Sequence, residues 1–353
     1  MLSAFKKIFV FLSATVLACG MAVSCDGLIY DGEGDCSVAY KVRFRYDMNM
    51  KYADAFSHEV KRVTLYVLKE DGSIACSKTE SGDALAAEDY SMVVDVPAGR
   101  YDLLAWCDAG DNGSFSVAES TSKTGLKCSL NTKRAEDGSA YVDSNLDRLY
   151  HGYLSGVDFT ADEGTVVATV NLVKNTNHFN VVLQHISGDP IDKSKFSFAI
   201  KADNSLMDWD NSLIGNDPVA YRAWSVESGS ADVEKYKTSS AESPSSVAEL
   251  VEATATTSLN LVTAELTTGR LVKGRQPRLN VTNRESGETV LSVPLIDFAL
   301  LVKGKYNEAM DDQEYLDRQD DYNMIFFLDD QDRWIKTFIY INSWKVVLQD
   351  TEL

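Results

Sequence analysis

The sequence predicts an all-β protein of antiparallel β-sandwich type, and three observations predict it. Runs of β-branched and aromatic residues alternate with polar ones at a period of two, the signature of half-buried strands. Turn-forming Asp, Asn, Gly and Pro punctuate these runs at short intervals. No long segment spaces its apolar residues at helical intervals, so more than ten strands and at most two short helices are expected.

The elements follow in order. In VAYKVRFRY (Val38–Tyr46), Val38, Tyr40, Val42, Phe44 and Tyr46 share one face and Lys41, Arg43 and Arg45 the other. A short helix is expected around YADAFSHEV (52–60). Val60–Lys78 holds two β-branched segments joined by Asp71-Gly72, a dipeptide that supplies the positive φ of a tight hairpin. Tyr90–Cys107 reads as two more strands punctuated by Pro97 and Gly99, completing a first sandwich. In VVATVNLVKNTNHFNVVLQHI (Val166–Ile186) one strand ends, Lys174–Asn177 makes a polar break and another strand begins. A domain boundary placed there gives a first domain of 38–172 and a second of 173–353. The second half repeats the style in SFAIKAD, VAYRAWSV, ATTSLNLVTAEL, RLNVT, TVLSVPL, MIFFLDD and WIKTFIYINSWKVVL. Lys305–Asn323 suits a short helix or a long acidic loop, and Ser-rich Lys237–Val247 a surface loop.

The N-terminus reads as an instruction and not as fold. Lys6 and Lys7 precede an uncharged run from Ile8 to Ser24, marginal for a bilayer span but suited to a signal peptide over 1–24. The next residue, Cys25, is placed to accept diacylglycerol, which makes 25–37 a lipidated tether. Cys19 is a weaker rival, because cutting there leaves apolar GMAV beyond the lipid. The acidic run Asp31–Asp35 resembles the surface-export signals of Bacteroidetes lipoproteins. Several acyl chains would hold firmly, each buried CH₂ contributing ~0.8 kcal/mol.

Charge narrows the function classes. Losing residues 1–24 removes two lysines and no acid, taking the net charge from −19 to −21. No basic block appears, which disfavours nucleic-acid binding. Beyond Cys19 and Cys25 the cysteines are Cys36, Cys76, Cys107 and Cys128, which in an oxidising compartment permit two disulfides in three connectivities. Cys107 with Cys128 is the favoured pair, with free buried thiols as the alternative. The absence of CxxC argues against zinc.

No catalytic motif emerges. His58, His151, His178 and His185 show no metal-ligand spacing, and the odd separation of the last two puts them on opposite strand faces as local hydrogen-bonders. There is no GxSxG elbow and no GxxxxGK[ST] loop. The acids cluster in turns such as AEDG and LDDQD, where solvated charge normally sits, so no enzyme, cofactor or metal is expected. Cys107–Ser114 and Asp203–Ser212 are oxygen-rich but lack the EF-hand spacing and read as turns.

Taken in order, SCDGLIYDGEGDC, VTLYVLKEDG, VPAGRYDLLAW, LVKNTNHFNVVLQHISG and YLDRQDDYNMIFFLDDQDRWIKTFIYINSWKVV resemble the FimB-like anchor, or minor, subunits of type V fimbriae in Bacteroidales. One departure is Ser343 in INSW, where glycine is expected. The resemblance implies two transthyretin-like antiparallel β-sandwich domains in tandem and a lipid tether through acylated Cys25 in the outer membrane. It further implies a place at the cell-surface base of a fimbria, binding fimbrillin subunits, attaching the polymer and limiting its elongation. Stalk subunits of that family lose their first strand to an arginine-specific protease and anchors retain theirs. Val38–Tyr46 is then the retained strand-pairing segment, with Arg43 and Arg45 as protected cut sites. Two alternatives stay open: a stalk or tip fimbrillin, and a surface glycan-binding lipoprotein using Trp209, Trp224 and Tyr221.

Overall fold

The computed structural model describes residues 38–110, 112–160, 164–215, 218–236, 253–304, 307–336, 338–342 and 344–347. The expected signal segment, Cys25, the tether, the 237–247 loop and Ser343 lie outside the described residues.

From the N-terminal side, β1 (Ala39–Arg45) leads through helix α1 (Phe56–Glu59) to β2 (Arg62–Leu68), β3 (Ile74–Ser81), β4 (Met92–Val94) and β5 (Gly99–Cys107). Four short strands follow: β6 (Phe115–Val117), β7 (Cys128–Leu130), β8 (Lys133–Arg134) and β9 (Ala140–Val142). Next come β10 (Tyr150–Phe159), β11 (Thr165–Asn171), β12 (Val173–Lys174), β13 (Thr176–His185), β14 (Phe196–Ala202), β15 (Leu206–Met207) and β16 (Val219–Arg222). The last strands before the helices are β17 (Ser225–Tyr236), β18 (Ala253–Gly269), β19 (Arg278–Asn283) and β20 (Thr289–Pro294). Helices α2 (Leu295–Leu301) and α3 (Asp312–Arg318) precede β21 (Asp321–Leu328), β22 (Phe338–Ile341) and β23 (Trp344–Val347).

Local chemistry explains the first hairpin. Gly72 takes φ of 80°, and the Asp71 carboxylate accepts from the Ser73 N–H at 2.8 Å, fixing the turn between β2 and β3. The first sandwich packs a three-stranded sheet, β11-β1-β4, on a five-stranded one, β12-β10-β5-β2-β3. Tyr40 stacks on Phe159 across the layers with ring centroids 4.7 Å apart. The second half holds two six-stranded sheets, β17-β18-β13-β21-β22-β23 and β20-β19-β14-β16-β9-β8. Phe179 and Val181 of one and Phe198 and Ile200 of the other share a single buried apolar cluster. A small third sheet, β15-β7-β6, joins the halves through Leu206 and Met207 opposite Ser129 and Cys128.

The all-β class stands, with three departures. First, the sheets do not follow the expected boundary at 172/173. β9 pairs with β16, Ala140 opposite Val219, so residues from the first half complete a sheet of the second. The apolar cluster crosses as well, taking in Trp106, Phe115 and Leu130. Tyr40–Thr160 and Val167–Leu353 accordingly fall in one compact unit. A second, small unit holds the starts of β1 and β11, where the Ala39 N–H donates to the Gly164 carbonyl at 3.0 Å. Second, β9–β16 and β13–β21 are parallel pairs, the latter running from His178 opposite Asp321 to His185 opposite Leu328. Strands this distant in sequence have no hairpin to force opposite directions. Third, LIDFALL is the helix α2, beginning after Pro294. It buries Leu295, Ile296, Phe298 and Ala299, a helical spacing that the β-rich surroundings obscured.

Asp108 ends β5 in the left-handed region, φ 61°, and its carboxylate accepts the Lys61 and Arg62 N–H groups at 2.9 and 2.7 Å. Burial nevertheless pushes the carboxyl up to about 6, against the pull of those donors. The folded state thus keeps a proton that the unfolded chain, with an ordinary carboxyl at 3.8, has already released. Stability from this group is therefore present below about pH 4 and is lost as pH rises through about 6. Asp108→Asn is expected to remove that slope and to stabilise the protein at neutral pH by roughly 1–2 kcal/mol, after allowing for partial exposure. Urea midpoints of both proteins across about pH 4 to 7 check it, and parallel curves would contradict it.

Candidate functional site

The strand-pairing candidate forms as its alternation dictates. Val42, Phe44 and Tyr46 are buried, Tyr40 is 6% exposed, and Arg43 and Arg45 point to solvent. Val38 precedes the strand and is half-buried. Burial rests on an aromatic row as well as on apolar area. Phe44 stacks on Phe56 at 5.7 Å and Tyr46 meets the edge of Tyr150 at 5.0 Å.

The tertiary context changes what the strand can offer. β1 lies between β11 and β4, with Tyr40, Lys41 and Val42 opposite Val94, Val93 and Met92. It is a central strand whose edges are already taken; the free edges of that sheet belong to β4 and β11. Its C-terminal end is held too. The Leu172 N–H donates to the Arg45 carbonyl at 2.8 Å, and the Tyr46 N–H to Asp54 at 2.9 Å. Arg45 pairs with Asp47 at 2.9 Å, while Arg43 carries an exposed side chain on a backbone locked in the sheet.

Beneath Tyr46 lies a charged network that alternation does not reveal. Tyr150 donates to Glu59 at 2.7 Å; Glu59 also meets Arg148 at 3.3 Å and Lys174 at 3.5 Å, and Lys174 pairs with Asp320. Burial, then the negative charges of Asp320 and Glu59, push the Tyr46 phenol well above its ordinary range, so it stays neutral. From the far end of the chain, Arg318 on α3 donates to the Asp47 carbonyl at 2.9 Å and lies 4.4 Å over the Tyr52 ring. Arg318 was invisible to sequence reasoning: DQEYLDR signals only a helix, and nothing local aims its last arginine at the turn after β1, 271 residues earlier.

The other candidates resolve differently. Cys107 and Cys128 are both free and buried, which corrects the expected bridge. They sit in separate sheets, Cys107 between Val63 and Tyr150, Cys128 opposite Val117 and Met207. The glycan platform is not assembled. Tyr221 is buried and donates to Asn204 at 2.7 Å, Trp209 is capped by Lys123 at 4.4 Å from its ring, and Trp224 lies beside His178. His151 bonds the Trp209 carbonyl at 2.8 Å and burial pulls its imidazole down to about 4. On β13, His185 faces inward to Asp332 at 2.9 Å, and His178 faces outward to Asp321 at 3.2 Å, whose hydrogen bond raises it. Among the described residues no cluster of three or more His, Cys, Asp or Glu is placed to hold a metal ion, and no helix is long and apolar enough to cross a membrane. What the arrangement offers chemically is backbone pairing at sheet edges around a first strand that keeps its place.

Comparison with known proteins gives the context. Residues 33–350 match the model of the family described as fimbrillin-A associated anchor proteins Mfa1 and Mfa2. A candidate adhesin of Bacteroides thetaiotaomicron is 32% identical, with a TM-score of 0.73 over 90% of this chain and 100% of that one. A candidate polysaccharide-binding protein of the same organism is 28% identical, with a TM-score of 0.71 over 89% and 99%. The minor fimbrium anchoring subunit Mfa2 of Porphyromonas gingivalis is 24% identical over 119 residues, 33% of this chain and 37% of that protein. The solved fimbrial anchor protein Mfa2 from that organism shares the fold, with a TM-score of 0.62 at 16% identity over 88% and 99% of the two chains.

Proposed function

Because this chain belongs to the family of fimbrillin-A associated anchor proteins Mfa1 and Mfa2, we propose that it moors a type V fimbria to the outer membrane. In this reading acylated Cys25 holds the chain at the cell surface, the two-layer sheets contact fimbrillin subunits by strand pairing, and the contact ends elongation. The observation that carries the reading is the position of β1. A subunit that passes its neighbour a groove must first surrender a strand, and this one keeps its first strand central, aromatic-anchored and bonded on both sides. Such a chain suits a terminus of the polymer better than its repeating shaft.

Replacing Cys25 with alanine tests the mooring. The variant is expected to shed fimbriae into the medium, read by immunoblot of cell and culture fractions; fimbriae that stay cell-bound at normal length would refute the role. Intact mass of the native protein separates the rival: a start at lipidated Cys25 supports the anchor, whereas a start after Arg45 would make the chain a stalk subunit.

A further inference from the structure

The outer face of the five-stranded sheet is polar for a reason that register makes plain. Trp106 lies opposite Thr64, and Thr64 opposite Thr79; Tyr66 lies opposite Ser77. Cross-strand partners share a face, so these side chains and Arg62, two residues before Thr64, form one patch. The segment running on from β6 rises over it, and between the two layers lies a cleft of about 410 Å³. That is within the ~300–1,000 Å³ of small-ligand sites.

A sheet face covered by a second layer ordinarily buries apolar side chains, and beside the cleft Leu68, Leu104 and Leu126 do so. Inside it the polar groups are left waiting. Thr64 and Thr79 satisfy each other at 2.9 Å, and Ser120 bonds the Ser122 backbone. Trp106 is fully buried, and its indole N–H has no hydrogen-bond partner among the described residues, although buried polar groups are nearly always paired. The Tyr66 phenol and the Ser77 hydroxyl are likewise unengaged among the described residues, and the Arg62 guanidinium has no ion pair among them although the chain is strongly acidic. Glu119, at the same cleft, adds an acceptor.

The mixture is specific. Hydroxyls, a phenol, an indole N–H and a carboxylate match the alternating donors and acceptors of a polyol, while a planar guanidinium fork matches one carboxylate. A polyanion would be repelled by the acidic chain and by Glu119. We propose that this cleft binds a short saccharide carrying a single carboxylate, of the uronic or sialic type. The acid group lies on Arg62 and the ring hydroxyls on Tyr66, Ser77, Trp106 and Glu119. The cleft is built entirely from residues 62–126, so the inference stands whether or not the anchor role does.

Calorimetric titration of the purified full-length native protein tests it with a glucuronate-containing tetrasaccharide and with sialyllactose, each beside its carboxyl-reduced form. At least one acidic probe is expected to bind, its reduced form about tenfold or more weakly, the difference a charge-assisted hydrogen bond makes. Arg62→Gln, at an exposed side chain that leaves the fold intact, is expected to erase the preference for the acid, and Trp106→Phe to weaken binding of both forms. Which acidic probe binds distinguishes uronic from sialic recognition. The inference is overturned if neither acidic probe binds at millimolar concentration, if acid and reduced forms bind alike, or if Arg62→Gln leaves the preference in place.

Discussion

Phe44→Ala is expected to lower stability by about 3–5 kcal/mol, the range for a large aromatic removed from a packed core. Phe44 is 2% exposed and stacks on Phe56 at 5.7 Å and Tyr90 at 6.4 Å, so truncation leaves a hole in the aromatic row that fixes β1. Little of that hole can close, because the backbone is held before and after Phe44, by β4 as far as Val42 and by the Leu172 N–H at the Arg45 carbonyl. Since whole domains are stable by only ~5–15 kcal/mol, the loss is a large fraction of the total. A second consequence is kinetic. Cleavage after Arg43 or Arg45 needs the strand to leave its sheet, and a weakened β1 opens more often. An arginine-specific protease is therefore expected to cut the variant much faster than the parent, with Lys41→Ala on the outward face as the silent control. A Phe44→Ala protein as stable and as resistant as its parent would show that β1 is not clamped.

Asp317→Ala is expected to cost a similar amount for a different reason. Arg270 donates to both carboxylate oxygens of Asp317, at 2.8 and 2.7 Å, and to the Asn211 carbonyl at 2.9 Å. The pair is largely buried, 15% and 9% exposed. It ties the chain just after β18 to α3, the helix whose Arg318 reaches the end of β1. Removing the acid strands a guanidinium in a low-dielectric site, a loss of about 3–5 kcal/mol. An apolar replacement of both partners, Arg270→Met with Asp317→Leu, is expected to recover most of it, because the bridge itself is nearly balanced against desolvation. Denaturant unfolding of the parent, Asp317→Leu, Arg270→Met and the double variant closes the cycle. Additive losses would mean that the two side chains do not act as a pair.

Much of the first strand was legible. Period-two alternation in Val38–Tyr46 correctly separated buried Val42, Phe44 and Tyr46 from exposed Arg43 and Arg45, because the pleat is a local property. The Asp71-Gly72 hairpin was legible for the same reason. The short helix near 56 was anticipated and the one near 312 was one of two readings of its segment, whereas α2 was masked by an apolar run that suits strand and helix alike. The Lys174–Asn177 break proved to be a single residue, Asn175. It is fully buried, and its side chain exchanges amide hydrogen bonds with Asn211 at 2.7 and 3.1 Å. The cleft at Arg62 was not legible at all, since its walls come from β2, β3, β5 and β6 and the loops beside them.

By itself the sequence determined the β class, the faces of individual strands, the hairpin turns and the acidic, motif-poor character that turns attention from catalysis to binding. Only the tertiary structure decided that β1 is a central strand, that β9 completes a sheet beyond the expected boundary, that β13 and β21 run parallel, and that Cys107 and Cys128 stay apart. The division has one cause. Alternation and turn geometry depend on residues within a few positions of one another, whereas a strand's neighbour is chosen by which pairing buries the most apolar surface across the whole chain.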